Sequence, residues 1–281
     1  MIENIYGMYF SGTGTTKKII NTIGEKLSLL SNKSYEEIDF SIYENRKAIY
    51  KFSKKDLIII GLPTYAGRVP NLLLKFLNSI EGHGGFAVPI VMYGNRNFDD
   101  ALIELRNIME TDGFEVLAAG AFVGEHSFSY ELAKGRPDEE DLLEVKNLAS
   151  LVYDKINKKN YNLSYKKVNL SDKLFEIVDR GESLRNYYKP RDRRGNYINI
   201  LKVKPKVNNL CTDCKICVDI CPMNAIDYND VSKYNNVCIK CGACIKKCPN
   251  HARYYDDEGF LYHKNELEEE YKEKKTNRIY I

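Results

Sequence analysis

The segment Cys211–Pro222 has the sequence CTDCKICVDICP, and it recurs 27 positions later as CIKCGACIKKCP at Cys238–Pro249. All 8 cysteines of the 281-residue chain lie in these two copies. A disulfide framework distributes its cysteines through a secreted chain, so this clustering indicates metal ligands instead. The repeat also implies a small module built from two related halves.

Each copy has the spacing C-x2-C-x2-C-x3-C-P, the spacing of bacterial two-cluster [4Fe–4S] sites, in which the fourth cysteine binds the other cluster. Three thiolates two residues apart wrap a loop around one cube, and the fourth points across to its neighbour. Zinc, which paired C-x2-C units also bind, needs only four ligands per ion and gains nothing from two such runs. Residues 205–262 therefore resemble the two-[4Fe–4S] ferredoxins, a small α+β fold. The predicted ligand sets are Cys211, Cys214, Cys217 and Cys248 for one cluster, and Cys221, Cys238, Cys241 and Cys244 for the other.

A second motif, Ser11-Gly12-Thr13-Gly14-Thr15-Thr16, follows a predicted buried strand and precedes apolar residues at helical spacing. A strand, a loop of glycines and hydroxyls, and a helix N-terminus together favour phosphate binding. A P-loop is absent, and Lys17 replaces the third glycine of a dinucleotide fingerprint. The loop resembles instead the flavodoxin loop for the terminal phosphate of FMN, with a turn of no function as the alternative.

The remainder of residues 1–164 alternates strands and helices, which predicts an α/β domain with a five-stranded parallel sheet. The predicted strands are Asn4–Phe10, a weaker one near Tyr35–Phe40, Asp56–Leu62, Ala87–Gly94 and Phe114–Val123. Helices are predicted to begin at Pro70 and at Asp99, and over Pro137–Ile156.

Two further loops, Gly61–Pro70 and Gly94–Asp100, follow strand ends, where open α/β sheets bind ligands. As a whole, residues 1–164 resemble a flavodoxin. The resemblance implies FMN, a doubly wound sheet of strand order 2-1-3-4-5, and an isoalloxazine ring held by these two loops. Tyr65 is expected to stack on the ring with Phe98 or Tyr93 opposite, and surface packing is the alternative for these aromatic residues. Backbone groups near Thr64, Gly94 and Asn95 are expected to bond the ring edge. The predicted FMN-binding residues are Ser11, Gly12, Thr13, Gly14, Thr15, Thr16, Pro63, Thr64, Tyr65, Ala66, Gly67, Gly94, Asn95, Arg96 and Phe98.

Nearly the whole chain resembles the flavodoxin–ferredoxin fusion proteins of anaerobic bacteria and archaea, through its flavin loops and Gly124-Glu125-His126-Ser127. It departs from stand-alone flavodoxins in having no Trp and in carrying Arg68 and Arg96 in the flavin loops. A cation there is expected to favour reduced, anionic flavin. His126 is the candidate catalytic residue, as a proton donor to flavin or substrate. Capping of a strand end is the alternative role for His126.

Residues 165–204 connect the two domains, with helical periodicity over Asp172–Tyr188 that predicts packing between them. The basic stretch Arg185–Lys206 fits either a docking surface for an acidic redox partner or a solvated linker. Residues 263–281 are predicted to be a charged C-terminal tail, with a solvated helix and no chemical role.

These features predict an electron transfer protein that relays electrons between two [4Fe–4S] clusters and FMN and links redox partners in anaerobic metabolism. The alternative is an FMN-dependent reductase of a small organic acceptor, with the ferredoxin domain as its electron donor. A redox sensor would need a regulatory domain, and the sequence offers none. The longest apolar run, Leu57–Leu62, is far shorter than the ~20 residues of a membrane span, and no signal peptide is apparent. We therefore expect a cytoplasmic protein with redox protein partners, no nucleic acid and no membrane span, and leave a homodimer open.

Overall fold

The N-terminal domain is built on a parallel sheet in the order β2-β1-β3-β4-β6. A computed structural model describes residues 2–157, 170–171 and 184–281. All pairs along this part of the sheet are parallel, and the order confirms the predicted 2-1-3-4-5 arrangement. The strands are β1 (Asn4–Tyr9), β2 (Ser34–Asp39), β3 (Asp56–Pro63), β4 (Phe86–Tyr93), β5 (Glu115–Val116) and β6 (Ala119–Val123).

The predicted fifth strand is divided in two. Residues of β5 pair only with the start of β4, whereas β6 pairs with its end. Leu117 donates its N–H to Ala87 between the two. The continuous apolar pattern of Phe114–Val123 therefore predicted one strand where the chain makes two short ones.

Helices cover both faces of this sheet, which is why β3 is buried along almost its whole length. On one face α1 (Thr15–Ser31) and α4 (Glu139–Ile156) pack on alternate strand residues such as Ile59 and Ile90. On the other face, a 3₁₀ turn at Asn71–Leu73, α2 (Leu74–Leu77) and α3 (Ala101–Thr111) pack on residues such as Ile58 and Val91. The two apolar layers leave the carboxyl edge of the sheet free for the loops.

The cysteine-rich region forms a small second domain. Strands β8 (Lys206–Val207) and β9 (Arg253–Tyr254) pair antiparallel and bracket two short helices, α5 (Ile216–Asp219) and α6 (Ala243–Lys246). The repeat is visible in the backbone as well. Residues 27 positions apart share positive φ angles: Asp213 (55°) with Lys240 (56°), Lys215 (62°) with Gly242 (75°), and Asn224 (45°) with His251 (49°).

The C-terminal segment returns to the N-terminal domain, in contrast to the predicted solvated tail. Helix α7 (Glu258–Glu270) buries Phe260, His263 and Leu267. Strand β10 (Arg278–Tyr280) then pairs antiparallel with β6 and parallel with β7 (Leu170–Ser171). The tail thus contributes an additional strand to the sheet, because Ile279 fills a site in the core that polar sequence around it concealed.

The helix predicted over Asp172–Tyr188 lies outside the described residues, except for its last five positions, which are not helical. Within the described part of the chain, no helix has the length and apolar character to cross a membrane.

Candidate functional site

The eight cysteines surround two cavities in the second domain. The inner cysteine cavity is lined by Cys221, Cys238, Cys241 and Cys244, and the outer cysteine cavity by Cys211, Cys214, Cys217 and Cys248. These groups of four coincide with the two ligand sets expected from the sequence. Among the described residues, no group of three or more His, Cys, Asp or Glu side chains is arranged to hold a single metal ion.

Backbone N–H groups point at several of the sulfur atoms. Ala225 and Ala252, again 27 residues apart, each donate to the fourth cysteine of a copy, at 3.3 Å to Cys221 Sγ and 3.3 Å to Cys248 Sγ. Burial raises the pKa of Cys241 to about 12. A cluster that binds here must therefore displace the proton from this thiol, after which the N–H groups stabilise the sulfur charge.

Unpaired donors also face the cysteine cavities, which is the fit test for a sulfide-rich cluster. The Tyr255 hydroxyl lines the inner cavity, is buried and has no hydrogen-bond partner in the described structure. At the outer cavity, the buried Arg253 guanidinium contacts Cys217 and leaves its Nε unpaired. Both groups are suited to donate to cluster sulfur, and such bonds tune iron–sulfur potentials.

A third cavity, of about 60 Å³, lies at the N-terminus of α1. We call it the phosphate-sized cavity. The chain reaches the helix through Gly14, whose φ of 104° is accessible to glycine at little cost. Hydroxyls of Thr13, Thr15 and Thr16 line the cavity, and the helix N-terminus favours a negative charge there. Ser11 and Gly14, both predicted to bind phosphate, are not among the lining residues. The Ser11 hydroxyl instead accepts the N–H of Lys17 at 3.1 Å.

The fourth cavity has a volume of about 630 Å³ and is walled by both domains and by the connector. We call it the interdomain cavity. The loop Thr64–Gly67 and Gly94, Arg96 and Asn97 of the second predicted loop line one side of it. Thr64 Oγ1 lies at the boundary with the phosphate-sized cavity, buried and without a partner in the described structure. Such a hydroxyl is costly unless a ligand bonds it, and this placement agrees with the predicted FMN site.

Three residues of the two predicted flavin loops, Arg68, Asn95 and Phe98, line neither of these two cavities. Asn95 turns its buried side chain to the C-terminal segment, where it bonds the carbonyls of Tyr271 and Glu273. Phe98 packs against Tyr93, with ring centroids 5.5 Å apart, and lines neither cavity. Arg68 forms a two-pronged bond with the buried Glu104, so a carboxylate already balances its charge.

Tyr65 and Arg96, which the sequence also assigned to the flavin loops, line the interdomain cavity. Tyr65 lines both it and the phosphate-sized cavity. Arg96 lines the interdomain cavity, pairs with Asp99 and lies 4.4 Å from the ring centroid of Tyr188. Its charge is therefore shared between a carboxylate and an aromatic face.

His126 lies at the junction of the phosphate-sized cavity and the interdomain cavity. Its ring fills the space above Gly94, where an added Cβ would come within 2.4 Å of Cδ2. Burial, more than the nearby His263 and Lys246, lowers the pKa of His126 to about 3. Since Nδ1 accepts the N–H of Phe128 at 3.1 Å, the neutral ring carries its proton on Nε2. His126 is thus a hydrogen-bond donor, and the predicted role as an imidazolium proton donor does not fit this environment.

Sequence reasoning missed the connector and α7 as walls of the interdomain cavity. Tyr187 and Tyr188 line it, held by bonds from the Tyr187 hydroxyl to Val69 O and from Tyr188 N–H to Ala66 O. His263 of α7 lines the opposite side, with burial lowering its pKa to about 4. The adjacent aromatic pair in a polar stretch, and His263 among the apolar positions of α7, were the available indications.

The two domains meet at the phosphate loop. A Cβ added at Gly12 would lie 2.9 Å from Cys241 Cβ, and one at Gly242 would lie 2.5 Å from Ser127 O. Beside this contact Lys246 Nζ bonds Glu125 at 3.0 Å, with only 10% of the lysine side chain exposed. Cys241 consequently lines both the inner cysteine cavity and the phosphate-sized cavity, and Cys238 lines both the inner cavity and the interdomain cavity.

Comparison with known proteins gives a sequence match for the second domain and structural likenesses for the first. Residues 210–253 match the family described as a 4Fe-4S dicluster domain. A flavodoxin from the domain Archaea is 18% identical, with a TM-score of 0.40 over 55% of this chain and 99% of the flavodoxin. Oxidised flavodoxin 2 of Bacillus cereus is 22% identical, with a TM-score of 0.38 over 54% and 99% of the two chains. An NADH:FMN oxidoreductase in its apo form is 17% identical, with a TM-score of 0.41 over 55% and 89%. No curated protein matches the sequence.

Proposed function

We propose that this chain, which joins a flavodoxin-like α/β domain to a 4Fe–4S dicluster domain, relays electrons between two [4Fe–4S] clusters and an FMN held where the domains meet. The observation that carries the proposal is the shared wall. Cys241 and Cys238 belong to the inner cysteine cavity and also face the two cavities that suit FMN. A cluster bound by these cysteines has flavin as its neighbour, without a layer of protein between them.

The outer cysteine cavity supports an order for the relay. Its ligand Cys214 is exposed, whereas Cys241 of the inner cavity is buried. A redox protein therefore has access to the outer cluster, and the inner cluster connects it to flavin. Bound FMN supplies the change between one-electron and two-electron chemistry.

The surrounding residues orient the cofactors and control their protons. Thr13, Thr15 and Thr16 bind the phosphate at the α1 N-terminus, and Thr64 Oγ1 has a free donor for the ring. Neutral His126 presents Nε2–H at the junction of the two cavities. Tyr255 and Arg253 donate to cluster sulfur from the inner and the outer cavity.

An anaerobic redox titration followed by absorbance and electron paramagnetic resonance tests the proposal. We expect about eight irons per chain, from two four-iron clusters, and one FMN. Zinc in place of iron, or a chain without flavin, contradicts it.

Paired cysteine variants test the order. Cys214→Ala removes a ligand of the outer set, and Cys241→Ala removes one of the inner set. In Cys214→Ala, FMN is expected to remain bound while a ferredoxin-type protein donor reduces it more slowly in rapid-mixing experiments. Cys241→Ala is expected to slow the same reaction and also to weaken FMN binding, because Cys241 touches the phosphate loop. If Cys214→Ala leaves the rate of flavin reduction unchanged, the outer cluster is not part of the relay.

A second candidate function is the reduction of a small organic acceptor at the flavin. The interdomain cavity favours it, since its volume of about 630 Å³ exceeds that of a flavin ring. Steady-state assays with quinones, nitro compounds and activated alkenes test it: a reductase shows saturation, and a pure carrier shows only slow, unsaturable oxidation.

A further inference from the structure

The interdomain cavity has room for a second molecule beside the flavin. An isoalloxazine ring is a slab of about 11 by 7 by 3.5 Å at van der Waals thickness, or roughly 270 Å³. The cavity holds about 630 Å³. A ring bound at the Thr64–Gly67 loop would therefore fill only part of it and leave open the side lined by the connector.

The leftover side is apolar although much of it is reached by solvent. Leu72, Tyr197, Leu201 and Val237 are exposed by 41%, 45%, 70% and 62%, and all four line the cavity. They come from three separate stretches of the chain and converge on one opening. An exposed apolar group of this kind marks a binding surface, and its position at the mouth of a cavity indicates a small apolar ligand.

The charges along this opening all have the same sign. No Asp or Glu is among the described residues that line the cavity, whereas Arg96, Lys189 and Lys240 are. Arg96 is balanced by Asp99. Lys240 Nζ donates to the carbonyl of Leu201 at 3.0 Å and pairs with no carboxylate in the described structure. Its charge also offsets that of a cluster at Cys238, two residues away.

Lys189 belongs to the connector and not to the cysteine repeat, so the charge of a cluster does not account for its position. Its Nζ lies 5.9 Å from the ring centroid of Tyr197, and within the described chain it has no acidic partner. Lys189 is exposed and Lys240 half-buried, and both line the same cavity, so an anion bound there meets a positive potential with no carboxylate among the described lining residues.

We propose that the outer part of the interdomain cavity binds a planar, apolar organic carboxylate, with its carboxylate at Lys189 and Lys240 and its conjugated part against Tyr197, Leu201 and the flavin. The assignment of the inner part to flavin rests on the proposed function.

The test is a binding titration of the oxidised full-length protein with three probes. Cinnamate is planar and anionic, cinnamide is its neutral analogue, and 3-phenylpropanoate is its non-planar anionic analogue. Binding is followed by the flavin difference spectrum and, independently, by calorimetry. We expect cinnamate to bind saturably with a spectral change, and the two analogues to bind at least about tenfold more weakly.

Lys189→Gln and Lys240→Gln are expected each to weaken cinnamate binding by about three- to tenfold and to reduce its salt dependence. Lys202→Gln is the matched control, since Lys202 is a neighbouring exposed lysine that does not line the cavity. Iron and flavin content measured in each variant show that the cofactors are retained.

Cinnamide binding as well as cinnamate, or lysine variants that bind like the wild type, overturns the proposal. So does the absence of any binding to protein that carries flavin and clusters, an outcome that leaves the relay intact. Protein without flavin that still binds cinnamate by calorimetry, with the same dependence on the lysines, refutes the relay but supports the carboxylate site.

Discussion

Replacing Asn95 is expected to release part of the C-terminal segment and loosen the flavin loop. The Asn95 side chain is 2% exposed. Its Nδ2 donates to Tyr271 O at 2.5 Å and Glu273 O at 2.8 Å, and its Oδ1 accepts the N–H of Lys275 at 3.2 Å. Three bonds at about 1 kcal/mol each give roughly 3 kcal/mol. Asn95 also has φ 64°, where alanine costs about 1 kcal/mol more.

The effect is expected to be local. Beyond Lys275 the segment has its own attachments, because Asn277 bonds Val123 N–H and Asp141, and β10 pairs with β6. The stretch 271–275 should therefore open while β10 stays in place. A loss of about 3 kcal/mol corresponds to amide exchange in that stretch up to about a hundredfold faster.

Hydrogen–deuterium exchange with mass spectrometry measures this directly. Asn95→Ala and Asn95→Gly should both accelerate exchange in 271–275 and leave β10 and β3 unchanged, with the glycine variant showing the loss of bonds without the backbone strain. Asn32→Ala is the control, since Asn32 has φ 54° and an exposed side chain. FMN affinity, measured by quenching of flavin fluorescence, should fall several-fold in the two Asn95 variants. Unchanged exchange in 271–275 in both variants would refute the clamp.

Three other changes have distinct expected outcomes. Thr64→Val should weaken FMN binding about five- to tenfold, while the flavin-free protein keeps or gains thermal stability. The reason is that the lost hydroxyl has no protein partner in the described structure. A parallel loss of stability would show that Thr64 bonds the protein. Gly12→Ala should weaken FMN binding and lower the iron content of the inner cluster, since its Cβ would lie 2.9 Å from Cys241 Cβ. Gly14→Ala meets nothing within 4 Å, so it should weaken FMN binding through the strain of an alanine at φ 104° and leave the iron content unchanged; equal effects on iron would contradict the contact. His126 has its pKa lowered to about 3 in the folded state against about 6.5 unfolded, so the unfolded state takes up the proton first and stability falls as pH drops below 6.5. His126→Asn, which keeps an acceptor for Phe128 N–H, should reduce the fall in urea midpoint between pH 7.5 and 5.5, and an unaltered fall would assign it to other groups.

The sequence predicted features that depend on local pattern. The strands β1, β3 and β4 were recognisable because continuous apolar runs between loops and helices permit little else, and α4 followed from its apolar spacing. The cysteine spacing predicted which residues surround each cavity, since that spacing is set by the reach of a thiolate around a cube. Local sequence pattern was enough in these cases because the residues that each element buries lie close together in the sequence.

Partner choice over long distances was beyond the sequence. Asn95 looked like a flavin residue because it follows β4, but its side chain bonds residues 176 to 180 positions away. Strand β10 has three residues, too few for a periodicity, and pairs with β6 because that edge of the sheet was open. Tyr187 and Tyr188 became cavity walls through bonds to the carbonyls of Val69 and Ala66 that no local rule predicts.

The shared wall has a consequence for access to the flavin. In a flavin protein that works as a carrier by itself, the ring edge has to be reachable by a protein partner. Here Cys238, Cys241, the connector and α7 line the two cavities proposed for FMN, so a ring bound there would be shielded from a folded protein while a small molecule could pass the apolar opening. Cys214, in contrast, is exposed. In the proposed relay, protein partners would therefore meet the chain at the outer cluster and small acceptors would meet it at the flavin, at different surfaces. Electron delivery by a protein and oxidation by a small organic acceptor should therefore not compete, and competition between them in kinetics would show that the cavity is open to both.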